Sequence, residues 1–170
     1  FIFIWLGVRT APGRRLRDLI FLRMPLIGGL VCEVNAARTA RTLSSLLTSG
    51  VAMVTAISIA RDVVQNVHFK DVLTDSESRI QQGEVLSKAF LEREDLYPPL
   101  VGEMIAVGEE TGNIAGMLEN LANFYEEEVS RKTKDMSTII EPFLMVFIGG
   151  AVGFFAISMI SPIYSLSQNI

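Results

Sequence analysis

From Pro142 to Ile170 the chain carries no Asp, Glu, Lys or Arg. No other feature constrains the fold as tightly. Apart from Glu141, the stretch from about Ile139 to Ile163 is a continuous apolar run, and a helix needs only about 20 such residues to cross a bilayer. All 15 Lys and Arg and all 19 Asp and Glu lie between Arg9 and Glu141, so the composition divides the chain into a water-facing part and a membrane part. That division excludes a disordered tail, a secreted disulfide scaffold and a collagen-like fibre. Residues 62–128 hold 15 acidic against 4 basic side chains. Such a surface repels phosphate, so nucleic acid is not an expected partner.

The apolar run is flanked by charge on one side only. Arg131, Lys132 and Lys134 precede it and nothing basic follows. Lys and Arg next to a span mark its cytoplasmic side, which places the preceding residues in the cytoplasm and the end of the chain across the membrane. A second basic cluster, Arg9, Arg14, Arg15, Arg17 and Arg23, follows the uncharged residues 1–8. Eight helical residues reach about 12 Å, too short for a span, and the sequence starts with Phe. Residues 1–8 are therefore expected to be the tail of a transmembrane helix whose start is missing, with a short buried strand as the alternative. Leu16, Leu19, Ile20, Phe21 and Leu22 interleave with the arginines, and a basic amphipathic stretch of this kind suits an anionic leaflet.

Between these flanks the apolar residues recur every three or four positions. Val34, Ala37, Ala40, Leu43 and Leu47 make one stripe. Val54, Ile57, Ala60, Val64 and Val67 make a second, followed by Phe69, Val72, Leu73, Ser76 and Ile80. Ile114, Met117, Leu118, Leu121 and Tyr125 make another. This is the period of amphipathic helices packed face to face, and nothing between turn signals alternates as a strand does. Ser49-Gly50, Gln82-Gly83, Tyr97-Pro98-Pro99 and Thr111-Gly112-Asn113 read as helix ends, Asn113 as the cap of the last helix. The expected fold is all-α: a cytoplasmic antiparallel bundle of about six helices, the last running into a C-terminal transmembrane helix. The expected organisation is a span tail at 1–8, a basic connector at 9–28, a helical domain at 29–136, a transmembrane helix at 137–163 and a periplasmic tail at 164–170.

The chemistry-bearing residues are few. One cysteine, Cys32, and one histidine, His68, offer no disulfide, no metal cluster and no obvious nucleophile–base pair. No metal or other cofactor is expected. Glu127 and Glu128 stand four residues before Arg131 and Lys132, an order that supports a solvated helix face. Glu109 and Glu110 are adjacent, so on a helix they point about 100° apart, which suits capping or pairing better than joint acid–base work. Arg41, on an otherwise small-residue face, is expected to keep its stem partly buried and to pair with Glu109. Glu141 at the edge of the span is a costly place for a carboxylate, and Pro142 removes a backbone donor. Gly149 and Gly153 lie one turn apart, the spacing that lets membrane helices approach closely, within the subunit or between copies.

The order and spacing of several motifs resemble a known family. Ala40-Arg41-Thr42-Leu43-Ser44-Ser45-Leu46-Leu47-Thr48-Ser49-Gly50-Val51, then Val107-Gly108-Glu109-Glu110-Thr111-Gly112, then Ile140-Glu141-Pro142 before a glycine-rich span are similar to the bacterial type II secretion system protein F family, which includes the platform protein of type IV pilus assembly. Met24-Pro25-Leu26-Ile27-Gly28 and Ser161-Pro162-Ile163-Tyr164 fit as well. Family members carry two related helical domains and three spans, and this chain resembles the second domain and the last span. The resemblance implies a non-enzymatic inner-membrane platform that joins a cytoplasmic assembly ATPase to growing pilin or pseudopilin, works with other inner-membrane machine components and membrane lipid, and forms homo-oligomers. It marks Arg41, Gly50, Gly108, Glu109, Gly112, Glu141 and Pro142 as structural or coupling positions. Two other readings of the residues remain: a helical membrane signalling or receptor subunit, and a membrane enzyme using Glu141. The second would need a polar partner in the span, where Phe143 to Ile160 offers only Ser158.

Overall fold

The computed structural model describes Leu22, Met24 and residues 27–167, with the backbone alone at 137–140 and 158–167. The span tail assigned to 1–8, most of the basic connector at 9–28 and the last three residues of the tail at 164–170 lie outside the described residues. Along the described chain run α1 (Gly28–Thr48), α2 (Met53–Val63), α3 (Val67–Gln81), α4 (Leu86–Leu91), α5 (Pro99–Thr111) and α6 (Ile114–Ser167). No strand occurs among the described residues. The all-α expectation and the count of about six helices hold.

The helix ends follow from local chemistry. Gly50 takes φ +79° after α1, and its N–H bonds Leu47 O while the next N–H, of Val51, bonds Leu46 O. This crossed pair consumes two carbonyls that the helix end leaves open, and it needs a left-handed residue at its centre. The same pair closes α3, where Gly83 N–H bonds Ile80 O and Glu84 N–H bonds Arg79 O. Pro98 and Pro99 open α5, since a proline in the first turn forfeits no hydrogen bond. One boundary is absent from the sequence reading. The stripes through Val64 and Val67 look continuous, yet Val64 is extended and Asn66 caps α3, its side chain accepting from His68 N–H.

Contacts divide the chain into two compact units, one ending at Val129 and the other starting at Ser130. In the first, one apolar cluster joins all six helices, with Ala40 and Leu43 of α1, Ile57 of α2, Phe69 of α3, Phe90 of α4, Ile105 of α5 and Leu118 of α6 among its members. Each of the four stripes read from sequence contributes buried residues. Tyr97, in the segment before α5, lies at the junction with no exposed surface. Its ring meets Phe69 at 5.1 Å and Phe90 at 4.7 Å, both edge-on, the geometry aromatic quadrupoles favour. Its hydroxyl lies 3.0 Å from Thr39 Oγ1, so a buried polar atom is satisfied. Burial pushes the phenol well above its ordinary pKa.

Two glycines set how closely helices approach. A Cβ at Gly102 would lie 2.6 Å from the Leu91 side chain, and one at Gly108 would lie 2.8 Å from Ile114 Cα. The second obstacle is backbone and cannot turn aside. In the second unit α6 continues through Pro142 without a break, and it is long and apolar enough to cross a membrane.

Tyr97→Phe is expected to cost about 1–3 kcal/mol, because Thr39 is left buried and unpaired. Removing both partners in Thr39→Val with Tyr97→Phe should recover most of that loss. Denaturant unfolding of the chain in detergent micelles, followed by helical circular dichroism, measures both. Equal midpoints for the single variant and the parent would show that the hydroxyl bond contributes nothing.

Candidate functional site

The motif positions resolve into two separate clusters in the first unit and a third group on α6. Arg41 occupies the middle of α1. Its Nε donates to Glu126 Oε1 at 2.8 Å, and its Nη2 donates to Glu126 Oε2 at 2.7 Å and to Asn123 Oδ1 at 2.5 Å. Asn123 and Glu126 stand one turn apart on α6, so both present to the same face, and the planar guanidinium grips the carboxylate with two parallel bonds. The expected Arg41–Glu109 pair is therefore corrected: Arg41 ties the first helix to the last, while Glu109 is engaged elsewhere. The Arg41 stem is partly buried, as expected. The two side chains keep 37% and 49% of their surface, which puts the pair in the exposed class, worth about 0–1 kcal/mol, rather than the buried one. The bonds with Glu126 raise the Arg41 pKa, and those with Arg41 hold the Glu126 carboxyl below its ordinary range.

Glu109 faces the start of α4. Its Oε1 accepts the Leu86 N–H at 2.5 Å and its Oε2 the Ser87 N–H at 3.2 Å. The reason lies in α4 itself. The residue before it, Val85, has no side-chain acceptor, and the first N–H groups of any helix lack partners inside it. A carboxylate from another helix fills that role and meets the positive end of the helix dipole. The run from Val107 to Gly112 is thus a corner in which each marked residue has a distinct task. Gly108 admits the backbone of Ile114, Glu109 caps α4, and Gly112 takes φ +70° to turn the chain. Asn113 then accepts the Gly116 N–H at 3.2 Å, the cap expected from sequence. Glu110 points away on the surface.

The remaining candidates stand in the second unit. Glu141 is exposed on α6 and Pro142 follows it inside the continuous helix. A Cβ at Gly149 or Gly153 would meet nothing within 4 Å, so this stripe is open among the described residues. Cys32 is half-buried in α1. Burial, then the carboxylates of Asp95 and Glu33, push its thiol upward, the reverse of what a nucleophilic cysteine requires.

The sequence reading missed Glu126, Asn123, Gly102 and Tyr97 as organising residues. Glu126 adjoins Glu127 and Glu128 in an acidic run, which by itself suggests a solvated face. The available signal was an Asn three residues before a Glu, a pair that shares one helix face. Gly102 had one too, as a glycine inside an otherwise good helix pattern.

Comparison with known proteins decides the family. The family model described as "Type II secretion system (T2SS), protein F" matches residues 39–162, from within α1 to near the end of α6. The chain belongs to the type II secretion system protein F family. It is 36% identical over 157 residues to the type IV pilus assembly protein PilC of Thermus thermophilus, covering 92% of this chain and 39% of that protein. It is 36% identical over 168 residues to PilC of Myxococcus xanthus, covering 99% of this chain and 40% of that one. It is 34% identical over 147 residues to the type II secretion system protein F of Pseudomonas aeruginosa, covering 86% of this chain and 36% of the relative. The chain thus spans about two fifths of the length of these relatives. All the marked motif positions fall inside the matched stretch.

Two variants separate the clusters. Arg41→Ala is expected to lower stability by less than about 1 kcal/mol, less still at high salt. Because the Glu126 pKa is depressed, its stabilisation is complete above the unfolded value of about 4.3 and disappears as pH falls through the folded value. The difference between parent and Arg41→Ala in thermal melts should therefore vanish in acid. Glu109→Ala should cost about 1–3 kcal/mol, since it strands two part-buried N–H groups, and Glu109→Gln, which keeps an acceptor, should cost less. A loss in Arg41→Ala larger than in Glu109→Ala would reverse this ranking.

Proposed function

We propose that this chain is the C-terminal portion of an inner-membrane platform component of a type II secretion or type IV pilus assembly machine. In this reading it performs no catalysis. It connects a cytoplasmic assembly ATPase to the polymerisation of pilin or pseudopilin, alongside other inner-membrane components, and it acts as an oligomer. One observation carries the reading: a family of secretion and pilus assembly proteins is matched by a chain whose last helix runs unbroken from an acidic helical unit into an apolar stretch long enough to cross a membrane. The names of the relatives describe assembly and secretion, and a platform suits residues whose tasks are capping, clamping and close packing.

The orientation follows from charge. Arg131, Lys132 and Lys134 precede the apolar stretch, which supports a cytoplasmic helical unit and a periplasmic C-terminus. The acidic balance of residues 62–128 suits a partner with a basic docking face and keeps the unit off an anionic leaflet. Glu141, at the cytoplasmic edge of the span, is then placed where a carboxylate can meet a partner or the headgroup layer.

Reporter fusions at Gln82 should read cytoplasmic and fusions after Ser167 periplasmic, and the opposite pattern would overturn the orientation. Affinity purification of the full-length protein should retain the assembly ATPase and pilin-like subunits, and the yield of ATPase should fall as salt rises. Recovery of neither would remove the platform reading. The same purification with Glu141→Ala tests whether that carboxylate takes part.

A further inference from the structure

An open groove of about 350 Å³ lies in the first unit between α1 and α6. The apolar side chains of Val34, Ala37 and Val129 line it together with Arg38, Arg41 and Glu126. Its cations are not equivalent. Arg41 is committed to Glu126 and Asn123. Elsewhere in the unit Arg61 pairs with Glu77, Arg79 with Asp75 and Glu92, Lys88 with Glu84, and Arg93 with Asp95. Among the described residues of this unit, only Arg38 and Lys70 have no ion pair, and only Arg38 borders the groove. Its guanidinium is exposed in a unit where carboxylates are abundant and nearly every other cation has found one.

We propose that this groove docks a helix of a partner protein, seating small apolar side chains against Val34, Ala37 and Val129 and an Asp or Glu against the Arg38 guanidinium. A volume near the lower end of ligand-sized sites suits about one turn of an amphipathic helix, presented as apolar residues three and four apart. Charge selects its sign. A carboxylate can bond Arg38 with two parallel N–H donors, whereas a neutral or basic segment leaves the guanidinium unpaired on an apolar wall. The chain's own arginine-rich residues 9–23 carry the wrong sign for this place. The one acid of residues 62–128 that lines the groove, Glu126, is already paired with Arg41, so the inference goes beyond the platform reading and calls for a partner segment of opposite charge to the one the acidic surface suits.

The test uses the full-length protein in its own membrane, with benzoylphenylalanine placed at Thr42, another residue lining the groove. After irradiation, the cross-linked peptide is identified by mass spectrometry. The expected peptide comes from a helix of another protein and holds Asp or Glu three or four residues from Leu, Ile, Val or Met. Arg38→Glu should lower its yield by about tenfold or more while leaving the unfolding midpoint unchanged, because Arg38 is exposed and unpaired. Exchanging the partner's acid for Arg should restore the yield in the Arg38→Glu background. No cross-link, a cross-link to lipid, to a second copy of this chain or to a segment without the acid, or a yield indifferent to Arg38→Glu overturns the proposal.

Discussion

A buried tyrosine carries two opposed requirements: its ring gains by leaving water, and its hydroxyl loses unless it finds a partner there. Tyr97 meets both by drawing three helices to one point. Phe69 of α3 and Phe90 of α4 pack edge-on against the ring, and Thr39 of α1 supplies the hydrogen bond. The segment that holds Tyr97 is a run of turns rather than a helix: the Tyr97 N–H closes on Arg93 O, and Pro98 follows at once. The rest of the first unit is arranged around this junction. α5 starts directly after it, and the short α4 is held on one side by the ring contacts and on the other by Glu109.

The acids of this unit do more than confer solubility. Glu109 substitutes for the missing cap of α4. Glu77 receives Arg61 across α2 and α3, and Glu126 receives Arg41 across α1 and α6. The exposed Arg41–Glu126 pair contributes little alone, and Arg61–Glu77 is part-buried, yet each fixes the facing of two helices whose apolar stripes would tolerate some rotation. The result is a unit whose geometry is set by a few directional contacts over a non-directional core.

Much of this was legible in the sequence. The four stripes, the glycine-terminated helices and the uncharged run each rest on a local property: periodicity, the left-handed preference of glycine, and the absence of charge. Asn113 as a cap was legible for the same reason, since its partner lies three residues on. The break at Val64–Asn66 was hidden because the apolar spacing runs on across it and only the Asn66 side chain marks the boundary. The motif residues could be picked out, but not their partners. Arg41 and Glu126 are 85 positions apart, and an acidic unit offers an arginine many carboxylates at equal first sight. Glu109 was assigned to the wrong one because its real partners are backbone N–H groups, which every residue but proline has.

The sequence by itself therefore determined the class, the helices and the division between a charged unit and an apolar helix. Those depend on hydrophobic period and charge distribution, which are written in neighbouring residues. Only the tertiary structure decided which acid meets which base, that Gly108 must admit the backbone of Ile114, and that Tyr97 is the meeting point of three helices rather than a residue before a proline. These depend on distances between residues far apart in the chain. Such distances are set by how all the apolar faces pack at once.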